Sequence, residues 1–180
     1  MLIFHQGVDL PLFAAFDLLK DDDGTKRLRR YYEPYVAVAR ERDLGFVLDS
    51  PTWRASPRWA AEIGYHAKQL EQLNRTAIAL LEEIRREQGG TGAPIVISGC
   101  VGPQDDGYNP AELLTAQAAQ DYHAIQIESF AGTAADMVAA RTAAGRDRRR
   151  WPSSRLFCQI SRGSRPIKRP ARRCASAPRP

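Results

Sequence analysis

No apolar run in this sequence approaches the roughly 20 residues that a bilayer-spanning helix requires. The opening MLIFHQGVDLPLF has neither the basic head, the long apolar stretch nor the small-residue cleavage site of a signal peptide. The expected compartment is therefore the cytoplasm, with no membrane partner. Cysteine is scarce: Cys100, Cys158 and Cys174 are odd in number, widely spaced and form no C-x-x-C pair, which argues against a disulfide framework and against a local zinc knuckle. His5, His66 and His123 are scattered, and each reads as an ordinary surface or core histidine. Acidic residues all but vanish after about residue 140. Residues 1–140 hold 13 Lys/Arg and 20 Asp/Glu, a net of −7, whereas residues 141–180 hold 13 Lys/Arg and Asp147 alone, a net of +12. The summed charge of +5 describes neither part, so function is read from 1–140. The Arg/Pro-rich tail, 141–180, buries too little apolar surface to fold and is expected to be disordered.

The 180 residues, 43% of them apolar, suffice for one domain with a real core. From Thr25 to about Arg42 the residues Leu28, Tyr31, Tyr32, Tyr35, Val36 and Ala39 recur at three- and four-residue steps, which predicts an amphipathic helix capped at Thr25 and kinked at Pro34. Gly45-Phe46-Val47-Leu48-Asp49 is a short apolar run with the length and flanks of a buried strand. A second helix is expected over Ala67 to Glu87, with Leu70, Leu73, Ala77, Leu80, Leu81 and Ile84 as its buried stripe, and the glycines from Gly89 end it. Pro94 to Ser98 reads as the second strand, Thr115 to Phe130 as a third helix, and Ala135 to Val138 as the opening of a third strand.

Alternating helices and strands predict an α/β fold with a parallel sheet and crossover helices. Both complete strands lead into polar, Pro/Gly-rich loops at their C-terminal ends, where α/β sheets and (β/α)8 barrels place their chemistry. Neither strand is followed by G-x-G-x-x-G, which disfavours a dinucleotide-binding domain. A partial (β/α)8 TIM-type barrel is the favoured architecture, though periodicity alone leaves the choice open. The loop Asp49-Ser50-Pro51-Thr52-Trp53-Arg54 gathers a carboxylate, hydroxyls, an indole and a guanidinium at one strand end. Such a cluster could hold a small zwitterion, with Arg54 for a carboxylate, Asp49 for an ammonium and Trp53 as a wall for a cationic methyl group. The plainer alternative is that Trp53 packs on the next helix and Arg54 is solvated.

Several segments resemble the homocysteine S-methyltransferase family. They are Gly45 to Ser56, Gly64-Tyr65, Leu73-Asn74-Arg75, Pro94 to Pro103 with Gly107-Tyr108, Val8 to Ala14 and Arg30 to Tyr35. Order and spacing agree over about residues 2–139. The resemblance implies a barrel that moves a methyl group from a sulfonium or related small donor to the thiol of homocysteine, giving methionine. It also implies a zinc ion (Zn2+) held by three cysteine thiolates, which lowers the thiol pKa. By the same resemblance Thr52, Trp53 and Arg54 line the donor side of the pocket, with Asp49, Ser98 and Cys100 nearby as substrate-binding residues.

The sequence departs from the family in three ways. Cys100 matches no zinc position, so no metal ligand is carried over; the family's first strand, ending in an Asp-Gly-Gly motif that contacts the amino acid, would precede Leu2, so half of the substrate site is expected to be missing; and after Ala140 the family pattern gives way to the basic tail. These departures lead to the expectation of an inactive fragment of a methyltransferase. Read one nucleotide out of phase, Arg165 to Pro170 is compatible with Gly-Leu-Ser-Ser-Gly-Gln, a family-like segment, which suggests a frameshift near residue 140. The alternative function, a non-catalytic protein whose tail contacts nucleic acid or another polyanion, rests on Arg148-Arg149-Arg150 and the basic run from Arg162 to Arg173. No base-reading module accompanies that tail, so its contacts with nucleic acid are expected to be nonspecific.

Overall fold

The computed structural model describes residues 2–88, 92–105, 114–141 and 156–159. A short helix α1, Leu2–Gln6, and two 3-10 turns, Pro11–Phe13 and Ala15–Lys20, lead into α2, Asp22–Glu41. The cap of α2 is Asp21, whose carboxylate accepts from the Gly24 amide at 2.7 Å. Asp22 and Asp23 add negative charge to the first turn, where it complements the helix dipole. Thr25 stands inside the helix and turns its hydroxyl back to the Asp21 carbonyl at 2.9 Å, so the expected cap lies four residues late. Pro34 is accommodated within the continuous helix. The buried face of α2 is Leu28, Tyr32, Val36 and Ala39, at helical spacing.

Strand β1, Phe46–Asp49, is followed by α3, Pro57–Glu62, and by the long α4, Ala67–Gln88. The whole predicted stripe of α4 is buried, and Asn74 and Ile78 are buried with it. Strand β2 is Ile95–Val101, α5 is Ala116–Ala131 and β3 is Met137–Ala140. Thr115 caps α5 as expected, its hydroxyl accepting from the Ala118 amide at 3.2 Å. The order is β1-β2-β3 with both pairs parallel, which bears out the α/β fold. Strand β2 runs three residues past Ser98, because Ser98 to Val101 pair with Met137 to Ala140. Polar composition hid this extension. Gly99 is needed in it, since a Cβ there would lie 2.6 Å from the Phe130 ring of α5.

Leu48, Ile97, Val101 and Val138 face the helices and join Leu28, Leu70, Leu81, Ile84 and Phe130 in the core. Alternation then sends Asp49, Ser98, Cys100 and Met137 to the opposite face. A fourth strand, β4, Leu156–Gln159, lies antiparallel on β3; these four residues depart from the expected structureless tail, and the rest of 142–180 falls outside the described residues. A TIM-type barrel is all parallel, so β4 does not continue the β/α pattern. Among the described residues no helix is long and apolar enough to cross a membrane. Leu81 is fully buried at the centre of this core, and Leu81→Ala is expected to cost about 3 kcal/mol of unfolding free energy. Urea titration followed by circular dichroism measures it, and a loss under about 1 kcal/mol would mean that α4 is not packed as described.

Candidate functional site

The carboxyl ends of β1 and β2 are tied together by a closed circuit of hydrogen bonds. The Cys100 amide donates to Ser50 Oγ at 2.8 Å, and Thr52 Oγ1 donates to the Cys100 carbonyl at 2.8 Å. Thr52 has a single hydroxyl proton and spends it there, so the 2.6 Å contact between Ser50 and Thr52 has Ser50 as donor. The Gln126 amide group from α5 donates to the Thr52 carbonyl at 2.8 Å and to Asn74 Oδ1 at 3.1 Å. Asn74 of α4 in turn donates to the Ala55 carbonyl at 3.1 Å. Ser50, Thr52, Asn74 and Gln126 are all buried. This network fixes the loop after β1 to β2, α4 and α5, and it takes up the Thr52 hydroxyl that the sequence suggested for the donor pocket.

Trp53 and Arg54 leave this network in a different direction. The Arg54 guanidinium carbon lies 3.7 Å from the centre of the Trp59 ring of α3 and 5.0 Å from that of Trp53, close enough for cation–π attraction. Arg54 thus stacks on the following helix instead of standing free in solvent. The Trp53 indole Nε1 donates to the Arg141 carbonyl at 3.3 Å. Gly102 of the β2 exit makes room for it, because a Cβ there would overlap the Trp53 carbonyl oxygen and crowd the indole.

Asp49, Ser98 and Cys100 do come together. Asp49 and Ser98 are register partners on β1 and β2 and share one face of the sheet with Cys100. The Asp49 carboxylate is gripped by Arg141, the residue just after β3, with Nε at 2.7 Å and Nη2 at 2.6 Å from Oδ2. Its other oxygen, Oδ1, and the Ser98 hydroxyl are buried without a partner among the described residues. Unsatisfied buried polar atoms are uncommon and call for a ligand, an ion or a water. Tyr32, buried on α2, donates its hydroxyl to the Asp49 carbonyl at 2.9 Å and so fixes the strand end. Burial pushes the Cys100 thiol pKa up, and the Asp49 charge raises it further against the opposing effect of Arg141. At neutral pH the thiol stays protonated and inert. A cavity of about 430 Å3 opens beside the cluster, with Tyr31, Tyr32, Tyr35, Val47, Asp49 and Arg141 in its wall; that volume is in the range of small-molecule pockets.

The described residues do not fit the zinc ion that the resemblance implies. Cys100 is their only free cysteine, and among them no three His, Cys, Asp or Glu side chains gather to hold a metal. The Cys158 side chain, Cys174 and the Gly107-Tyr108 pair lie outside the described residues. Sequence reasoning missed Ser50, Gln126 and Arg141. Composition places Arg141 in the tail, and its position directly after a strand end is the signal that points to it.

Residues 6–149 match the family described as homocysteine S-methyltransferase, and the match runs past the charge break at about residue 140. A search of curated protein sequences finds no match. Among solved structures, the metallated form of the homocysteine methyltransferase MmuM from Escherichia coli superposes with a TM-score of 0.61 at 18% identity, over 76% of this chain and 48% of that one. Its oxidized form gives a TM-score of 0.57 at 21% identity, over 74% of this chain and 47% of the other. At these identities the likeness shows a shared fold, and the chain spans about half the length of the structures it matches. The family match covers most of the sequence, and the chain belongs to the homocysteine S-methyltransferase family.

Proposed function

We propose that this chain carries the amino-acid-binding part of a site for methyl transfer to the homocysteine thiol. The observation that carries the reading is the pair of buried, unpartnered polar atoms, Asp49 Oδ1 and Ser98 Oγ, at the carboxyl ends of adjacent parallel strands. An ammonium group would satisfy both by donating to each oxygen, on the side of the carboxylate that Arg141 leaves open. In the reaction the thiol loses its proton to solvent, the thiolate sulfur attacks the methyl carbon of a sulfonium donor, and the C–S bond to the donor sulfur breaks, leaving methionine and a neutral thioether. Thiol activation by a metal draws on no residue described here, so the chain alone is proposed to bind without turning over.

Calorimetric titration with L-homocysteine tests this. The wild-type chain is expected to bind, and Asp49→Asn to weaken binding at least about tenfold, since a charge-assisted hydrogen bond is worth some 1.5–3 kcal/mol. No methionine should form when S-methylmethionine or S-adenosylmethionine is added. Unchanged affinity in the Asp49→Asn variant would remove Asp49 from the site, and measurable turnover would show that the chain is active on its own.

A further inference from the structure

We propose that Arg141 is the carboxylate anchor of this site, so that Asp49 and Arg141 together select a free α-amino acid; the inference rests on the amino-acid-binding reading above. The backbone of Arg141 is held on both sides. Its amide donates to the Val101 carbonyl at 2.7 Å, and its carbonyl accepts from the Trp53 indole at 3.3 Å. Its side chain, paired with Asp49, is 53% exposed, while that of Asp49 is 20% exposed. Ser98, the register partner of Asp49, is wholly buried.

A guanidinium carries five N–H donors. The contacts to Asp49 use Nε and Nη2, both on the single oxygen Oδ2, and this leaves donors for a second carboxylate. An ammonium on Asp49 Oδ1 and Ser98 Oγ brings the α-carboxylate of the same ligand to that remaining edge of the fork. The four charges then alternate in sign around a ring, and the Asp49–Arg141 pair need not be broken. A ligand with only one of the two charged groups satisfies half of the arrangement. The tyrosine-lined cavity next to Asp49 and Arg141 accepts the rest of the side chain.

The experiment titrates the full chain with L-homocysteine, 3-aminopropane-1-thiol, which lacks the carboxylate, and 4-sulfanylbutanoate, which lacks the ammonium. Arg141→Met is expected to weaken L-homocysteine and 4-sulfanylbutanoate by about tenfold or more and to leave 3-aminopropane-1-thiol within about twofold. Arg141→Lys keeps the charge without the fork and should fall between wild type and Arg141→Met. If Arg141→Met does not fold by circular dichroism, the Lys variant carries the test through the same carboxylate-selective loss. Equal losses for all three ligands would make Arg141 a structural residue and overturn the assignment. If wild type binds L-homocysteine and neither variant weakens it, the Arg141 assignment falls while the methyltransferase reading stands; if wild type binds none of the three, both fall.

Discussion

Gln126→Leu is expected to lower the free energy of unfolding by about 2 kcal/mol, although the replacement is apolar and close in size. Gln126 is 1% exposed, so no water reaches the groups it serves. Its amide nitrogen donates to the Thr52 carbonyl, to Asn74 Oδ1 and, at 3.3 Å, to the Cys100 carbonyl. Leucine fills the space but offers no donor. The Cys100 carbonyl keeps the Thr52 hydroxyl and the Thr52 carbonyl keeps the Ala55 amide at 2.9 Å, whereas Asn74 Oδ1 is stranded, at about 1–3 kcal/mol. The substitution also removes Gln126 Oε1, itself buried without a partner among the described residues, which offsets part of the loss. Equilibrium unfolding in urea gives the value. A loss below about 1 kcal/mol would show that the loop after β1 is held by packing and not by this network.

Helix and strand positions were legible where burial is one-sided. The stripe of α4 repeats every three or four residues because only one face meets the core, and β1 is apolar enough to be read as a strand, although Leu48 alone of its four residues is buried and Val47 is exposed. Legibility failed where polar residues are buried. Gly99, Cys100 and Val101 read as a strand exit, yet they are the strand, because β3 pairs with them and Phe130 needs the missing Cβ of Gly99. Three of the six residues suggested from sequence, Asp49, Ser98 and Cys100, share one face of the sheet. The hydroxyl of Thr52 serves the scaffold, and Arg54 stacks on Trp59. These roles depend on which neighbour a side chain meets across the sheet, and residue type along the chain does not encode that. Arg141 was hidden for a related reason: the charge break assigns it to the tail by composition, while β3 places it over Asp49 from two strands away.

The substitution expected to disturb both stability and binding is Gly102→Ala. A Cβ at this position would overlap the Trp53 carbonyl oxygen and lie 2.8 Å from the indole Cδ1 and 2.9 Å from Nε1. A backbone oxygen cannot rotate aside as the end of a flexible side chain can, so either the loop after β1 or the end of β2 must shift. The cost is about 3 kcal/mol, at the upper end for overpacking. The shift carries the indole away from the Arg141 carbonyl, which it holds at 3.3 Å, and Arg141 in turn loses its placement over Asp49. L-homocysteine affinity should then fall by more than about tenfold even in the fraction that remains folded. Gly92→Ala is the matched control, because a Cβ there meets only Asp43 Oδ1 at 3.8 Å, an ordinary contact. Thermal melts and L-homocysteine titrations of the two variants, run side by side, separate the two glycines. A Gly102→Ala protein with wild-type melting and affinity would mean that the Trp53 loop yields freely, and the coupling from Gly102 through Trp53 to Arg141 would have to be abandoned.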